Sequence, residues 1–169
     1  MAGKVADELK AKTDAAWTNL TRQLQGMEPH LERSDAPGQW TTREILSHLL
    51  FQPGWDETAT LKSFAPTNLP VIDVEAGKPY LNDERKRMSL KQLIDAIDEQ
   101  RRKVFAVVSP LSDADLQTRK ARIPAFKQFM GTEEIPLAQY VGALFDFHWN
   151  DHAGQIAKIR KAVGLPPDG

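Results

Sequence analysis

The sequence predicts an all-α protein, a four-helix bundle with two long connections. Four segments repeat apolar residues three and four positions apart, which is the spacing of one helix face. Capping residues or helix breakers mark the ends of these segments, and neither connection shows the apolar alternation of a β-strand. The whole chain, residues 1–169, is expected to form a single domain, since this length supports one core and no internal repeat divides it.

The first two helices are predicted in the N-terminal half. The first runs from about Val5 to Gln25, and Gly26 follows it as the glycine that commonly ends a helix. The second runs from Thr41 toward Leu61, and Thr41 with Glu44 forms a capping box at its start. Pro53-Gly54 interrupts this helix, so a kink is expected there.

The third and fourth helices are predicted in the C-terminal half. The third begins at Ser89, which forms a second capping box with Gln92, and it ends at Ser109-Pro110. The fourth runs from Pro136 to Val163, and Gly164 ends it.

Two long connections join these helices, from Pro66 to Arg87 and from Ser112 to Glu134. The second connection is predicted to begin with a short helix from Ser112 to Leu116, and neither is predicted to contain a strand. Helix bundles build their ligand and metal sites in the core, from side chains on facing helices. A functional site is therefore expected among the inward-facing side chains of the four helices.

Composition excludes several classes of function. The chain carries 22 Lys and Arg against 23 Asp and Glu, with both signs interspersed, which argues against a nucleic-acid partner. It contains no cysteine, so disulfides, thiolate zinc sites, iron–sulfur clusters and a cysteine nucleophile are excluded. No apolar run is long enough to span a bilayer or to act as a secretory signal. A cytoplasmic protein without a membrane partner is the expectation.

Three of the four histidines are candidate metal ligands. His148 and His152 lie four residues apart on the apolar stripe of the fourth helix, where both should point into the bundle. Two buried imidazoles repel each other when charged, and a shared cation removes that repulsion. His48, within an apolar stretch of the second helix, is the candidate third ligand. The alternative is that each is a core histidine with a hydrogen-bond partner, and His30 is expected in a surface loop.

The chemistry of these ligands limits the ion. Three nitrogens plus an open position fit zinc, while nickel, iron, cobalt or manganese with more water would also fit. The sequence contains no His-Glu-x-x-His and no Glu-x-x-His, which disfavours a carboxylate-bridged di-iron centre. It also lacks a glycine-rich phosphate loop and a Gly-x-Ser-x-Gly nucleophile turn.

Other side chains near these histidines are weaker candidates. Glu44 lies one turn before His48, and Asp151 adjoins the last histidine, so either is a candidate for acid–base help. The alternatives are the capping role for Glu44 and a surface position for Asp151. Asn150 and Gln155 are candidates for orienting the ligands. Six aromatic residues are expected in the core, or alternatively in the wall of a pocket: Trp17, Trp40, Trp55, Phe145, Phe147 and Trp149.

Two motifs about a hundred residues apart resemble one known family. Trp40-Thr41-Thr42-Arg43-Glu44-Ile45-Leu46-Ser47-His48-Leu49 resembles the start of the second helix in the DinB/YfiT-like superfamily. His148-x-x-x-His152-x-x-Gln155-Ile156 resembles the motif of the last helix in the same superfamily. The chain differs from many relatives at Gln52-Pro53-Gly54-Trp55, where a continuous helix is more usual.

The resemblance implies a four-helix bundle, often dimeric, that holds zinc or nickel on His48, His148 and His152. Members of the family include thiol-dependent transferases and isomerases that use mycothiol, bacillithiol or glutathione. The resemblance therefore implies a metal-dependent enzyme, a low-molecular-weight-thiol transferase or isomerase, or a hydrolase, acting on a small-molecule substrate as a homodimer. The alternative is a non-catalytic bundle, stabilised by a metal, that binds a small molecule or a protein partner.

Overall fold

The computed structural model describes residues 3–167, most of which are helical. In chain order its helices are α1 (Lys4–Leu24), α2 (Thr42–Leu49), α3 (Glu57–Ser63), α4 (Asp83–Arg87), α5 (Leu90–Val108), α6 (Asp113–Thr118), α7 (Lys127–Met130), α8 (Leu137–Gly142) and α9 (His148–Ala162). Helix α1 packs on α8 and α9, α5 packs on α2 and α3, and α2 also contacts α9. The four sides of the bundle are therefore α1, α2 with α3, α5, and α8 with α9, which confirms the predicted fold class.

The ends of α1, α2 and α5 are formed by local interactions, as predicted. The Thr41 hydroxyl accepts a hydrogen bond from the Glu44 amide at 3.1 Å, and the Glu44 carboxylate accepts one from the Thr41 amide at 3.0 Å. Ser89 and Gln92 exchange the same two bonds at the start of α5. Gly26 follows α1 in the left-handed region, with φ of 77°. An N-cap side chain such as that of Thr41 or Ser89 contributes about 1 kcal/mol to stability, and it fixes where the helix begins.

The prediction of one kinked second helix is wrong. Helix α2 ends at Leu49, and α3 begins eight residues later with Asp56 as its N-cap, whose carboxylate accepts from the Ala59 amide at 3.1 Å. Between them Phe51 and Gly54 adopt φ of 61° and 84°, a left-handed conformation that a right-handed helix cannot contain. As a result α2 is short, and its last turn carries His48.

The two connections contain more structure than predicted. The second connection includes α6, which confirms the short helix, but the expectation that it has no strand is wrong. Strand β1 (Lys120–Arg122) pairs antiparallel with β2 (Glu134–Pro136), and Ala121 lies opposite Ile135 with both side chains fully buried. Three residues are too few to show an alternating pattern, so these strands are visible only through their pairing.

The last side of the bundle is one helical segment with an irregular turn. A π-helical turn at Ala143–Phe147 joins α8 to α9, and it ends directly before His148. Such turns are rare and are found frequently at functional sites. Gly164 follows the segment with φ of 81°, as predicted. No helix within residues 3–167 has the length and the apolar character needed to cross a membrane.

A buried arginine holds the other end of α9. Arg160, which is 2% exposed, donates from Nη1 to the carbonyls of Gln23 (3.0 Å) and Gln25, and from Nε to the carbonyl of Pro166 (2.9 Å). These bonds tie the C-terminal end of α9 to the end of α1. Arg160 lies eight residues beyond His152, about 12 Å along the helix axis.

Candidate metal centre

The structure brings together the three histidines predicted as metal ligands. His48 comes from the last turn of α2, and His148 and His152 come from the first turns of α9. Their ligand nitrogens lie within 4.8 Å of one another, and the Nε2 atoms of His48 and His148 are 2.9 Å apart. We call these three residues the histidine cluster. His30 lies outside it, in a short 3₁₀ turn (Glu28–His30).

Hydrogen bonds on the outer edges of two of the three rings fix the tautomers of His48 and His152. The Nδ1 atom of His48 lies 2.7 Å from the Lys78 carbonyl oxygen, which can only accept, so this nitrogen carries the proton. The Nδ1 atom of His152 lies 2.8 Å from the side-chain oxygen of Gln155 and donates in the same way. Partners of this kind orient metal-binding histidines and set which nitrogen is free. In the neutral rings Nε2 is then a bare acceptor, as a metal requires.

The charge state of the histidine cluster also favours metal binding. Burial, reinforced by the neighbouring rings of His152 and His48, lowers the pKa of His148 from 6.5 to about 3. Burial also lowers the pKa of His48 and of His152, although the bonds to Lys78 and Gln155 oppose this effect. At neutral pH the cluster therefore consists of three uncharged imidazoles.

The contact between His48 and His148 leaves the cluster short of hydrogen-bond donors. With their protons on Nδ1, the neutral rings of His48 and His152 have bare Nε2 atoms. His148 Nε2 lies 2.9 Å from His48 Nε2, and a neutral His148 ring has one proton to donate. Three imidazoles with at most one inward hydrogen among them are better matched by a cation that all three can bind. Nitrogen donors alone, with no carboxylate in the cluster, suit a divalent ion of the zinc or nickel type.

Aromatic rings cover the outer faces of the imidazoles. Trp40 stacks on His152, with ring centroids 6.4 Å apart and planes inclined by 7°, and it lies 4.9 Å from His48. Tyr80 stacks on the His48 ring, with ring centroids 6.0 Å apart. His48 and His152 are 9% and 8% exposed. The rings thus shield the cluster from water on several sides.

Of the six aromatic residues considered from the sequence, Trp40 is the one that contacts the cluster. Trp17, Phe145 and Trp149 pack on one another within the bundle, with centroids 4.7 to 5.2 Å apart along the chain of contacts. Phe147 is neither core nor wall, because it is 69% exposed. Trp55 donates from Nε1 to a carboxylate oxygen of Glu57 at 2.8 Å.

Two further aromatic residues cover the histidine cluster, and the sequence did not indicate them. Phe51 stacks on His148 at 6.3 Å, and Tyr80 stacks on His48 at 6.0 Å. Both have positive φ, 61° and 56°, which is uncommon for bulky residues and costs conformational energy. Backbone strain of this type clusters at functional sites, but nothing in the linear sequence marks it at these two positions.

Of the four polar residues predicted as possible helpers of the histidines, one contacts the histidine cluster. The structure engages the carboxylate of Glu44 in the capping box and leaves Asp151 exposed on the outer face of α9. Asn150 is also exposed, and its side chain bonds to Asn19 and Asp146. Gln155 is the one that reaches the cluster, through the Nδ1 atom of His152.

Comparison with known proteins identifies relatives of this chain. The sequence profile of the DinB superfamily matches residues 7–156, so the predicted family is confirmed. None of the curated proteins matches the sequence.

Two solved structures share the fold. One is YfiT from Bacillus subtilis, described as a probable metal-dependent hydrolase with an unusual four-helix bundle topology. It superposes with a TM-score of 0.66 at 17% identity, over 95% of this chain and 89% of its own. The other, a Streptococcus pneumoniae protein, gives a TM-score of 0.64 at 17% identity over 94% of this chain and 91% of its own. At this identity the likeness shows the fold.

Proposed function

We propose that this chain, which belongs to the DinB superfamily, is a cytoplasmic metal-dependent enzyme with one divalent ion on the histidine cluster. The observation that carries the proposal is the convergence of three uncharged imidazoles, whose ligand nitrogens lie within 4.8 Å of one another, with the Nε2 atoms of His48 and His148 at 2.9 Å. Neutral imidazole is a common metal ligand, and one cation could bind the inward nitrogens of all three rings. Zinc and nickel are the ions that this donor set favours.

The proposed reaction is transfer of a low-molecular-weight thiol to a small-molecule substrate, or an isomerisation that uses such a thiol. A divalent ion held by His48, His148 and His152 would lower the pKa of a thiol or water molecule that it bound. A free thiol has a pKa of about 8.5 against 15.7 for water, so it needs a smaller shift to ionise at neutral pH. The histidine cluster contains no carboxylate to act as a base, and this favours the nucleophile that ionises more easily. The thiol must come from outside, because the chain has no cysteine.

The residues around the cluster would orient and shield the reaction. The Lys78 carbonyl and the Gln155 side chain hold two of the imidazoles with their Nε2 atoms directed inward. Trp40, Phe51 and Tyr80 cover ring faces, so a substrate would approach from the side of the Nε2 atoms. Exclusion of water at this point strengthens every electrostatic interaction within the site.

Hydrolysis is the second candidate. The description of YfiT as a probable metal-dependent hydrolase favours it, since that protein shares this fold. In this case water would take the position of the thiol. A metal-stabilised bundle that binds a small molecule or a protein without catalysis is the remaining alternative.

Metal binding is tested by elemental analysis of the purified protein. We expect about one zinc or nickel ion per chain, or uptake of one ion on titration. His48→Ala, His148→Ala and His152→Ala should each lower the occupancy, since each removes one nitrogen ligand. His30→Ala is the matched control, because this histidine lies outside the cluster. A wild-type protein that neither contains nor takes up either metal would refute the proposal.

The reaction class is tested with the metal-loaded protein. Thiol consumption is followed with mycothiol, bacillithiol and glutathione against a panel of electrophiles, in parallel with ester and amide hydrolysis in the absence of thiol. Turnover that requires a thiol supports the transferase, and turnover without one supports the hydrolase. Absence of both in a protein that holds its metal would favour the binding module.

We also propose a homodimer, on the basis of family membership. Light scattering should then give about twice the 19.0 kDa mass of one chain. A mass equal to that of one chain would exclude the dimer at the concentration measured.

A further inference from the structure

The guanidinium of Arg85 lies where α2 ends. Its Nη1 atom donates to the carbonyls of Ser47 (3.1 Å) and Phe51 (2.5 Å) and to the Ser47 hydroxyl (3.2 Å). Its Nη2 atom lies 3.4 Å from the carbonyl of Leu50. The side chain is half-buried, and it forms no ion pair within residues 3–167. Its partners are therefore mainly the backbone carbonyls of the turn that follows His48.

This end of α2 needs such a partner. The last carbonyls of a helix have no amide donor inside the helix, and a cation near them is favourable because they carry the negative end of the helix dipole. Directly after α2 the chain passes through Phe51, whose φ of 61° is strained for a bulky residue. A single guanidinium that binds Ser47, Leu50 and Phe51 holds the chain in this turn.

Arg85 also binds the second element that orients His48. Its Nη1 atom donates to the carbonyl of Tyr80 at 3.1 Å. The segment from Lys78 to Tyr80 supplies the carbonyl that accepts the Nδ1 proton of His48 and the ring that stacks on it. Since Nη1 has only two hydrogens, they are shared between the end of α2 and this segment.

A second arginine, on α2, binds the end of α4 in the same way that Arg85 on α4 binds the end of α2. Arg43, on the first turn of α2, donates from Nη1 to the carbonyls of Arg85 (2.9 Å) and Met88 (2.6 Å), which end α4. Helices α2 and α4 thus cap each other, each with an arginine. The His48 ring lies within this linked pair, between the helix that carries it and the segment that accepts its proton.

We propose that Arg85 is a positioning residue for the metal centre. By holding the end of α2 against the segment from Lys78 to Tyr80, it keeps the His48 ring in place with its proton on Nδ1 and its Nε2 atom directed into the cluster. Within the described residues it donates no hydrogen bond to a histidine, and it acts through these backbone carbonyls. Its effect on metal affinity rests on the proposed function, whereas its effect on the tautomer of His48 does not.

The tautomer is measured on metal-free protein at neutral pH, from the long-range proton–nitrogen spectrum of the histidine rings. In wild-type protein we expect a single Nδ1–H form for His48. In Arg85→Lys, which keeps the charge but loses the fork, and in Arg85→Met, which loses both, we expect a mixture with the Nε2–H form. Arg160→Lys is the matched control, because Arg160 also binds three backbone carbonyls but at the far end of α9. It should lower stability without changing the His48 spectrum.

Metal affinity is measured in the same variants by competition with a chromogenic chelator, and cobalt(II) spectra report the ligand geometry. Loss of an outer partner of a metal ligand typically weakens binding by about 10–100-fold, and we expect this for Arg85→Met, with a smaller loss for Arg85→Lys. An Arg85→Lys protein with a wild-type tautomer, affinity and cobalt spectrum would overturn the inference. If wild-type protein binds no metal, the proposed function fails, and the tautomer measurement still decides the role of Arg85.

Discussion

The bundle buries two polar clusters that differ in how their hydrogens are directed. One is the histidine cluster. The other, which we call the carboxylate cluster, consists of Glu57 on α3, Tyr140 on α8 and Trp55 between α2 and α3. The Tyr140 hydroxyl donates to one carboxylate oxygen of Glu57 at 2.6 Å, and Trp55 Nε1 donates to the other at 2.8 Å. In the histidine cluster, by contrast, the Nδ1 hydrogens of His48 and His152 point outward, to Lys78 and Gln155.

The comparison shows that burial of polar groups alone does not identify a ligand site. Glu57 is 6% exposed, more buried than any of the three histidines, yet both of its oxygens have donors within the chain. Its cluster is complete, because buried polar atoms with partners need nothing further. In the histidine cluster the Nε2 atoms of His48 and His152 carry no hydrogen, and the single proton of a neutral His148 ring cannot satisfy both of them, whereas a cation could.

The largest effect should come from removal of a ligand. With zinc at about 1,000 times its dissociation constant, the histidine cluster should stabilise the wild-type protein by about 4 kcal/mol relative to chelator, and His148→Ala should lose most of this gain. Thermal unfolding with and without zinc measures it. Tyr140→Phe, a change in the carboxylate cluster, should keep the full gain. Equal gains in wild-type and His148→Ala proteins would contradict the assignment of the site.

The next effect should appear on acidification of the metal-free protein. Burial lowers the folded-state pKa of His148 from 6.5 to about 3, so below pH 6.5 the unfolded chain takes up a proton that the folded protein excludes. Through His148 alone the free energy of unfolding should fall by about 2 kcal/mol between pH 7 and pH 5. The loss begins near pH 6.5 and continues to about pH 3.

The carboxylate cluster should respond in the opposite sense. Burial raises the pKa of Glu57 above 4.5, so the folded protein binds this proton first, and stability should rise as pH falls through the raised pKa. Urea denaturation in the presence of chelator separates the two effects when wild-type protein is compared with His148→Phe and Glu57→Gln. A His148 variant with an unchanged pH slope between 7 and 5 would show that the histidine is not held uncharged.

A smaller change is expected when the carboxylate cluster loses a donor. Tyr140→Phe removes a hydrogen bond to a buried carboxylate, which should lower the free energy of unfolding by about 1.5 kcal/mol at neutral pH. Zinc affinity should stay at its wild-type value, because the cluster is complete without an ion. Chemical denaturation and zinc titration of the same protein measure both quantities. A parallel loss of zinc affinity would mean that the two clusters are coupled.

The smallest change should follow loss of an outer partner of the histidine cluster. Gln155→Leu removes the oxygen that accepts the Nδ1 proton of His152, and we expect metal affinity to fall about tenfold, or about 1.4 kcal/mol. Gln155→Glu keeps an accepting oxygen and is the matched control, with affinity at or above that of wild type. Equal affinities for the two variants would show that this bond does not orient the ligand.

The helices and their ends were predictable because the interactions that form them are local. The capping boxes of Thr41 with Glu44 and of Ser89 with Gln92 join residues three positions apart, and both are present where the sequence predicts them. The common face of His148 and His152 likewise follows from a spacing of four on a helix. Apolar periodicity over ten or more residues identifies which face is buried, whatever the rest of the chain does.

The tertiary structure alone decided which of these residues meet and what surrounds them. His48 lies 100 residues from His148, and its proton acceptor Lys78 lies 30 residues away, so their contact depends on how the helices pack and where the connections return. The left-handed turn at Phe51 and the fork of Arg85 arise from the same packing. The sequence by itself thus determined the helical fold class, the capped helix ends and three histidines on apolar faces. Only the folded chain breaks the second helix after His48 and directs the ring nitrogens to one point, because that direction is set by partners far apart in the sequence.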